Sequence, residues 1–318
     1  MKIILTAMTA IGMALACHAA PAQDLGNDVT VTQQGIGNTA YAEQANSNPT
    51  YGGMHVTITQ IGNDNHVGGP GASGGGVRQF ENLNVNAVIR QEGTGNNAGI
   101  TQTRNFGPVY PAVGQITQTG SNNSAMLRQY ESSDLLATIE QRGTGNIANV
   151  DQTGSTAQLM TIQNGVNNRV TIDYANGPYG GPSVTQDGEG NTATVYGDGV
   201  SLGGGPGIQQ TGSFNSVTTT QNLASDSTSQ IRQQGIGNQA DMTQTGNFQN
   251  LSIEQNGDGN LASISQTGIS TGSGNDRNSA VIAQTGNSNT AIVRQAGAGY
   301  VANVNQVGSG NYTNIYQH

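Results

Sequence analysis

Tryptophan is absent from the 318 residues, phenylalanine occurs four times and cysteine once. A chain so poor in large rings does not fill an ordinary globular core with them, and a lone cysteine excludes a disulfide scaffold. Lysine occurs only at Lys2, and charged residues make up 9% of the chain with acidic residues in excess. That balance excludes the basic footprint of a nucleic-acid partner. Beyond the N-terminal segment no stretch supplies the roughly 20 apolar residues a membrane helix needs. What is abundant is glycine, with serine, glutamine and asparagine. By composition alone this is a disordered chain, but the order in which these residues occur argues the opposite.

Met1 to Ala22 carries one lysine, an apolar run from Ile3 to Cys17, and small residues Ala20 and Ala22 before Gln23. This predicts a secretory signal peptide over 1-22, cleaved after Ala22. Cys17 as a lipidated residue fits less well, because Ala14-Leu15-Ala16 precedes it. Cleavage removes the only lysine and the only cysteine, leaving nine arginines against 19 acidic residues. The mature chain is therefore expected to be acidic, free of disulfides and not inserted in a membrane.

From Gln233 to Gln266 the sequence repeats every eleven residues. Gln233, Gln244, Gln255 and Gln266 are each followed two positions later by glycine, and the beat returns at Gln284, Gln295, Gln306 and Gln317. One unit reads Asn, x, small, x, aliphatic, x, Gln, x, Gly, x, x, as in Asn146, Ala148, Val150 and Gln152. A spacing of two puts these residues on one face of a β-strand and would scatter them around a helix. The glycines, among them Gly35, Gly93, Gly143, Gly235 and Gly257, fit tight reversals that need positive φ.

Two strands and two turns make a rung of about 22 residues. A strand with so narrow an apolar face is not stable alone, so the rungs must stack. The predicted fold is all-β, a β-solenoid of about 12 strand-turn-strand rungs with parallel cross-β stacking, roughly 58 Å long at the usual inter-strand spacing. The rungs are expected to begin at Gln33, Gln60, Gln91, Gln118, Gln141, Gln163, Gln186, Gln210, Gln233, Gln255, Gln284 and Gln306. Second strands end at Gln44, Gln79, Gln102, Gln129, Gln152, Tyr174, Gly197, Gln221, Gln244, Gln266, Gln295 and Gln317. The expected organisation is a single solenoid over 23-318, with Gly- and Pro-rich insertions near 45-54, 68-76, 103-111, 175-182, 199-207 and 269-277.

The inward amides must satisfy one another. These are the glutamines above and Asn38, Asn96, Asn146, Asn238, Asn260, Asn289 and Asn311. When one amide recurs at every rung, its NH2 donates to the carbonyl of its neighbour and the column closes on itself. Tyr174 and Gly197 interrupt this in adjacent rungs and mark a predicted weak point, whereas Gln233 to Gln266 is expected to be the most regular part. Outward, register would set Glu43 beside Arg78, Arg128 beside Asp151, and Arg232 beside Glu254, each pair contributing on the order of 0–1 kcal/mol.

No enzyme emerges. Asp151 and Asp173 occupy ordinary outward positions, and paired carboxylates in distinct environments are not evident. His55 and His66 could approach each other across a rung but lack a third ligand for zinc. Gly257-Asp258-Gly259 and Gly188-Glu189-Gly190 lack the frame of calcium-binding nonapeptides. No cofactor or metal is therefore expected. Thr218 to Thr220 is the one threonine cluster, with no repeated outward threonine column to suggest a surface-binding array.

The pattern QxGxxNxAxxxQ, in Gln33-Gln34-Gly35-Ile36-Gly37-Asn38-Thr39-Ala40 through Gln44 and in Gln141-Arg142-Gly143-Thr144-Gly145-Asn146-Ile147-Ala148 through Gln152, resembles the curlin repeat of bacterial curli fibre subunits. Ser227, six residues before Gln233, matches the serine that opens that repeat. The resemblance implies a secreted subunit that polymerises into extracellular functional amyloid of the biofilm matrix. Its implied partners are copies of itself, a nucleator subunit and an outer-membrane secretion apparatus. The sequence departs from the family in having only Gln23 to Asp28 between the predicted cleavage site and the first rung. Gln306 to His318 is regular and lacks Arg and Lys, which favours the major, fibre-building role over the nucleating one. With strands reaching close to both ends, head-to-tail addition would give an open filament.

Overall fold

Alternation of small or β-branched residues with polar ones leaves each segment one choice, an extended strand that buries every second side chain. The computed structural model describes residues 2–7, 14–19, 26–45, 53–68, 76–105, 111–133, 135–155, 158–175, 181–198, 206–222, 227–268 and 277–318. Among them every regular element is a β-strand and every strand pairing is parallel. The fold is an all-β solenoid, as the sequence predicts. Apart from residues at their ends, the predicted insertions lie outside the described residues. The chain forms two compact units, Met1–Val166 and Asn167–His318.

In the first unit one sheet stacks Asp28–Gln34, Met54–Asn63, Val85–Thr94, Ala112–Ser121, Leu136–Thr144 and Gln158–Val166. The other stacks Thr39–Ala45, the pair His66–Val67 and Val77–Phe80, then Asn97–Thr103, Ser124–Ser133 and Ile147–Ser155. Lys2–Ala7 and Ala14–Ala19 lie in register against the first strand of each sheet. The second unit repeats the arrangement. Ser183–Glu189, Gly207–Ser213, Thr228–Ile236, Gln249–Asn256, Asn278–Thr285 and Val301–Val307 form one sheet. Arg169–Ala175, Thr192–Asp198, Ser216–Asn222, Gln239–Thr245, Leu261–Thr267, Thr290–Ala296 and Tyr312–Gln317 form the other.

The core is the thin layer between facing sheets. Ile58, Ile89, Ile116 and Ile139 stack in register, all fully buried, and each stabilises the fold by roughly 1.5–3 kcal/mol. Where Gly114 interrupts the neighbouring column, a Cβ would meet Leu127 and Ile100 of the opposite sheet, so the two inner faces interdigitate. At the corner that opens each rung, Met54, Val85, Ala112 and Leu135 form a buried apolar cluster. The corresponding corner of the second unit is polar, with Ser227 Oγ accepting from the Gln249 backbone NH.

Candidate functional site

Among the described residues no single cleft organises the fold. What recurs at every rung is a set of buried amides, and their geometry decides what the chain can do. In the first unit Gln33 Nε2 donates to Gln60 Oε1 at 2.6 Å, Gln60 to Gln91 at 2.9 Å, Gln91 to Gln118 at 2.9 Å, Gln118 to Gln141 at 2.8 Å and Gln141 to Gln163 at 2.8 Å. The opposite sheet carries a matching column from Gln44 through Gln79, Gln102 and Gln129 to Gln152. Each NH2 has a second proton, and it goes across the core: Gln118 Nε2 donates to Asn97 O, and Gln129 Nε2 to Val113 O. One amide therefore ties its rung to the next and its sheet to the facing sheet, with both donors used.

The second unit shows the same columns. Gln186, Gln210, Gln233, Gln255, Gln284 and Gln306 link without a break at 2.8–2.9 Å. On the other sheet Gln221 donates to Gln244, Gln266 to Gln295, and Gln295 to Gln317. The expectation that Gln233 to Gln266 is the most regular part needs correction here. The strands run without insertion, but Gln266 Oε1 is buried without a partner, while Gln244 Nε2 donates to Thr228 O across the core. The amide column is open at this step although the backbone register, Gln244 against Gln266, is intact.

Asparagines form a second kind of column at the turn between the strands. Asn65 Nδ2 and its backbone NH both donate to Asn38 Oδ1, and Asn96, Asn123 and Asn146 continue the series. In the second unit Asn191, Asn215, Asn238, Asn260, Asn289 and Asn311 do the same. The polarity is reversed: glutamine NH2 groups donate towards later rungs, asparagine NH2 groups towards earlier ones. The remaining asparagine proton reaches a glycine carbonyl of the next rung, as in Asn65 Nδ2 to Gly93 O at 3.0 Å. That carbonyl is presented by a positive-φ glycine. Gly93 has φ of 116°, and a Cβ there would lie 2.0 Å from Gly120 O. Gly35, Gly143, Gly235 and Gly257 share the conformation, with φ of 110°, 113°, 120° and 124°.

Asn65, Asn123, Asn168, Asn191 and Asn215 were not singled out by the sequence reading. Their signal is the fixed offset of five residues after a ladder glutamine, which survives where the intervening turn varies, as with Asp64 or Phe214. Non-glycine residues also stack in left-handed turns. Glu81, Arg104 and Glu131 have φ of 54°, 53° and 49°, and Arg104 bridges both carboxylates at 3.0 and 3.2 Å. Hydrogen bonds to Glu81 and then Glu131 raise the Arg104 pKa.

Tyr174 and Gly197 stand in register. The Tyr174 ring is buried, its hydroxyl has no hydrogen-bond partner, and Gln221 Oε1 below Gly197 is likewise unpartnered. His55 is bonded to Asp28 and His66 to Thr39. One other sequence expectation is overturned: threonine does form outward columns, because Thr171, Thr194 and Thr218 align in three successive rungs. Arg78 meets Glu43 at 3.3 Å and Arg128 meets Asp151 at 3.5 Å, as register requires. A groove of about 460 Å³ on the second unit's outer face is lined by Ser183, Thr185, Gly207, Arg232 and Glu254 among others. Its one carboxylate stands in register with an arginine, which is not a paired-carboxylate arrangement.

The columns are open-ended. Gln33 Oε1 and Gln44 Oε1 accept nothing. At the other end Val301–Val307 and Tyr312–Gln317 each pair along one edge among the described residues, with Val307 73% and Tyr312 67% exposed. Among known proteins, residues 272–297 match the curlin associated repeat. That segment includes Asn278–Thr285 and Thr290–Ala296, one strand from each sheet. No curated protein matches the chain. The match spans 26 of the 318 residues, and it is this segment that is similar to the curlin associated repeat.

Proposed function

We propose that this chain is a secreted structural subunit that adds end to end to copies of itself, forming extracellular, curli-like amyloid fibres that support adhesion and aggregation in a biofilm matrix. The observation that carries this reading is the open solenoid edge. Two glutamine columns end in unpartnered acceptors, and among the described residues the two edge strands Val301–Val307 and Tyr312–Gln317 pair along one side. Such edges template further strands unless covered, and a contact between unlike ends that does not close generates a filament. The curlin repeat match at 272–297 supports the same reading.

In this scheme residues 1–22 are removed as a signal peptide during export through an outer-membrane apparatus, which leaves the first rung available to another copy. The last rung is regular and contains no Arg or Lys, in favour of fibre building over nucleation. Purified protein lacking residues 1–22 is expected to polymerise and give cross-β reflections near about 4.8 and 10 Å. A protein that stays monomeric for days at micromolar concentration overturns the proposal. Truncation after Gln306 is expected to slow fibre growth without abolishing nucleation of other subunits; loss of nucleation alone indicates the minor role.

A further inference from the structure

On the outer face of the first unit two rungs carry the same charges in opposite order. Arg90-Gln91-Glu92 and Glu140-Gln141-Arg142 flank the neutral Thr117-Gln118-Thr119. Register puts Arg90, Thr117 and Glu140 in one outward column and Glu92, Thr119 and Arg142 in the next. Within each rung the charges pair, Arg90 with Glu92 and Arg142 with Glu140, and all four side chains remain between 28% and 58% exposed.

This pattern is self-complementary under one rotation. A two-fold axis along the strand direction, passing over Thr117 and Thr119, exchanges the two charged rungs. A second copy placed by that axis sets its Glu140 on Arg90 and its Arg142 on Glu92, and both relations recur by symmetry. Every contact joins opposite signs. Val113 and Gln115, in the central rung, meet their own counterparts, and the remaining outward positions near the axis are uncharged: Asn86, Val88, Leu136 and Thr138. The other outer face of this unit does not allow the same rotation. There Glu43, Arg78, Thr101, Arg128 and Asp151 follow one another in register, and inversion about Thr101 lays Arg78 on Arg128.

We propose that the face bearing Arg90, Glu92, Glu140 and Arg142 is a side-to-side contact between two copies of this chain in inverted orientation. Centred on Ala112–Ser121, the axis overlaps five strands of this unit, which at about 4.8 Å apart with four outward positions each offer roughly 500 Å² per copy, small for a stable complex. A single pair is therefore weak, and a filament that repeats the contact along its length multiplies it. The contact is independent of end-to-end growth, since it uses side chains far from the strand edges.

Exchanging one rung's charges tests it. Arg90→Glu with Glu92→Arg keeps the net charge and the pair within the rung, yet sets like on like across the inverted contact. Adding Glu140→Arg and Arg142→Glu restores opposite signs. In electron micrographs, side-by-side pairing of filaments is expected to fall by roughly fivefold or more in the double variant and to return in the quadruple one, while seeded elongation rates stay equal. Should the protein remain unpolymerised, the same loss and return is expected in the weak dimer seen by sedimentation equilibrium. A non-inverted pairing, about an axis along the stack, opposes Arg90 to Glu92 and survives the double exchange. Unchanged pairing in the double variant, absence of rescue in the quadruple, or absence of any pairing in the wild type overturns the proposal.

Discussion

The Tyr174 ring occupies the space that a side chain on Gly197 would need: a Cβ built on Gly197 lies 2.4 Å from Tyr174 Cδ2. The two residues that break the glutamine column are thus a fitted pair, a large ring over an empty position. The fit is apolar, and it leaves the Tyr174 hydroxyl and Gln221 Oε1 without partners.

Gly197→Ala is therefore expected to destabilise the second unit by about 1–3 kcal/mol through overpacking, read as a lower denaturant midpoint. Tyr174→Gln together with Gly197→Gln rebuilds the column, supplies a donor to Gln221, and is expected to recover at least the wild-type midpoint. In the native chain, amide exchange should be faster over Thr171–Gly197 than over the first-sheet strands Thr228–Ile236 and Gln249–Asn256.

Burial pushes the Tyr174 phenol above its ordinary value of about 10. In the unfolded chain the phenol ionises near pH 10, whereas in the folded chain it keeps its proton. Above that pH the native state binds more protons than the unfolded one, so its stability is complete below pH about 10 and falls as pH rises beyond it. Tyr174→Phe removes this component. Urea midpoints at pH about 8 and 11 are expected to converge in the variant relative to wild type.

Gln118→Leu strands two groups at once: the Gln91 donor loses its acceptor and Gln141 Oε1 loses its donor. A cost of about 1–3 kcal/mol is expected, with slower fibre growth. Gln317→Leu sits at an exposed end where its bonds with Gln295 and Val301 O are lost but solvent can replace them, so its unfolding midpoint should move far less. Equal shifts in the two variants would argue against the column as the unit of stability.

Gly93→Ala combines a strained φ with a collision on Gly120 O. It should cost at least about 3 kcal/mol, because the carbonyl it meets belongs to fixed backbone. Gly237 also has positive φ, 67°, but nothing lies within 4 Å of a Cβ there. Gly237→Asn, in a conformation that asparagine tolerates, is expected to cost less than about 1 kcal/mol. Thermal unfolding of both variants separates strain from collision.

The solenoid was legible because its two signals repeat: alternation sets the strand, and the glutamine spacing sets the register. Asn65 and Asn123 were obscured by irregular turns, although the offset from Gln60 and Gln118 is constant. The apolar corner of Met54, Val85, Ala112 and Leu135 follows segments of unequal length and composition, so no local period announces it. The threonine column of Thr171, Thr194 and Thr218 becomes visible only once register is known, because its members are more than twenty residues apart. The open step at Gln266 could not be read at all. It falls in a sequence that repeats faithfully, with Gln244 and Gln266 in backbone register.

The opposed polarity of the asparagine and glutamine columns bears on long stacks. Amide dipoles aligned along one axis add, as peptide dipoles do along a helix, so a column of like-oriented glutamines alone carries fixed partial charges at its tips and a moment that grows with its length. Asparagines pointing the other way offset part of that field at every rung. A subunit carrying both columns can lengthen without accumulating electrostatic polarity in proportion to its length, and neither tip need become the preferred growing end on that account.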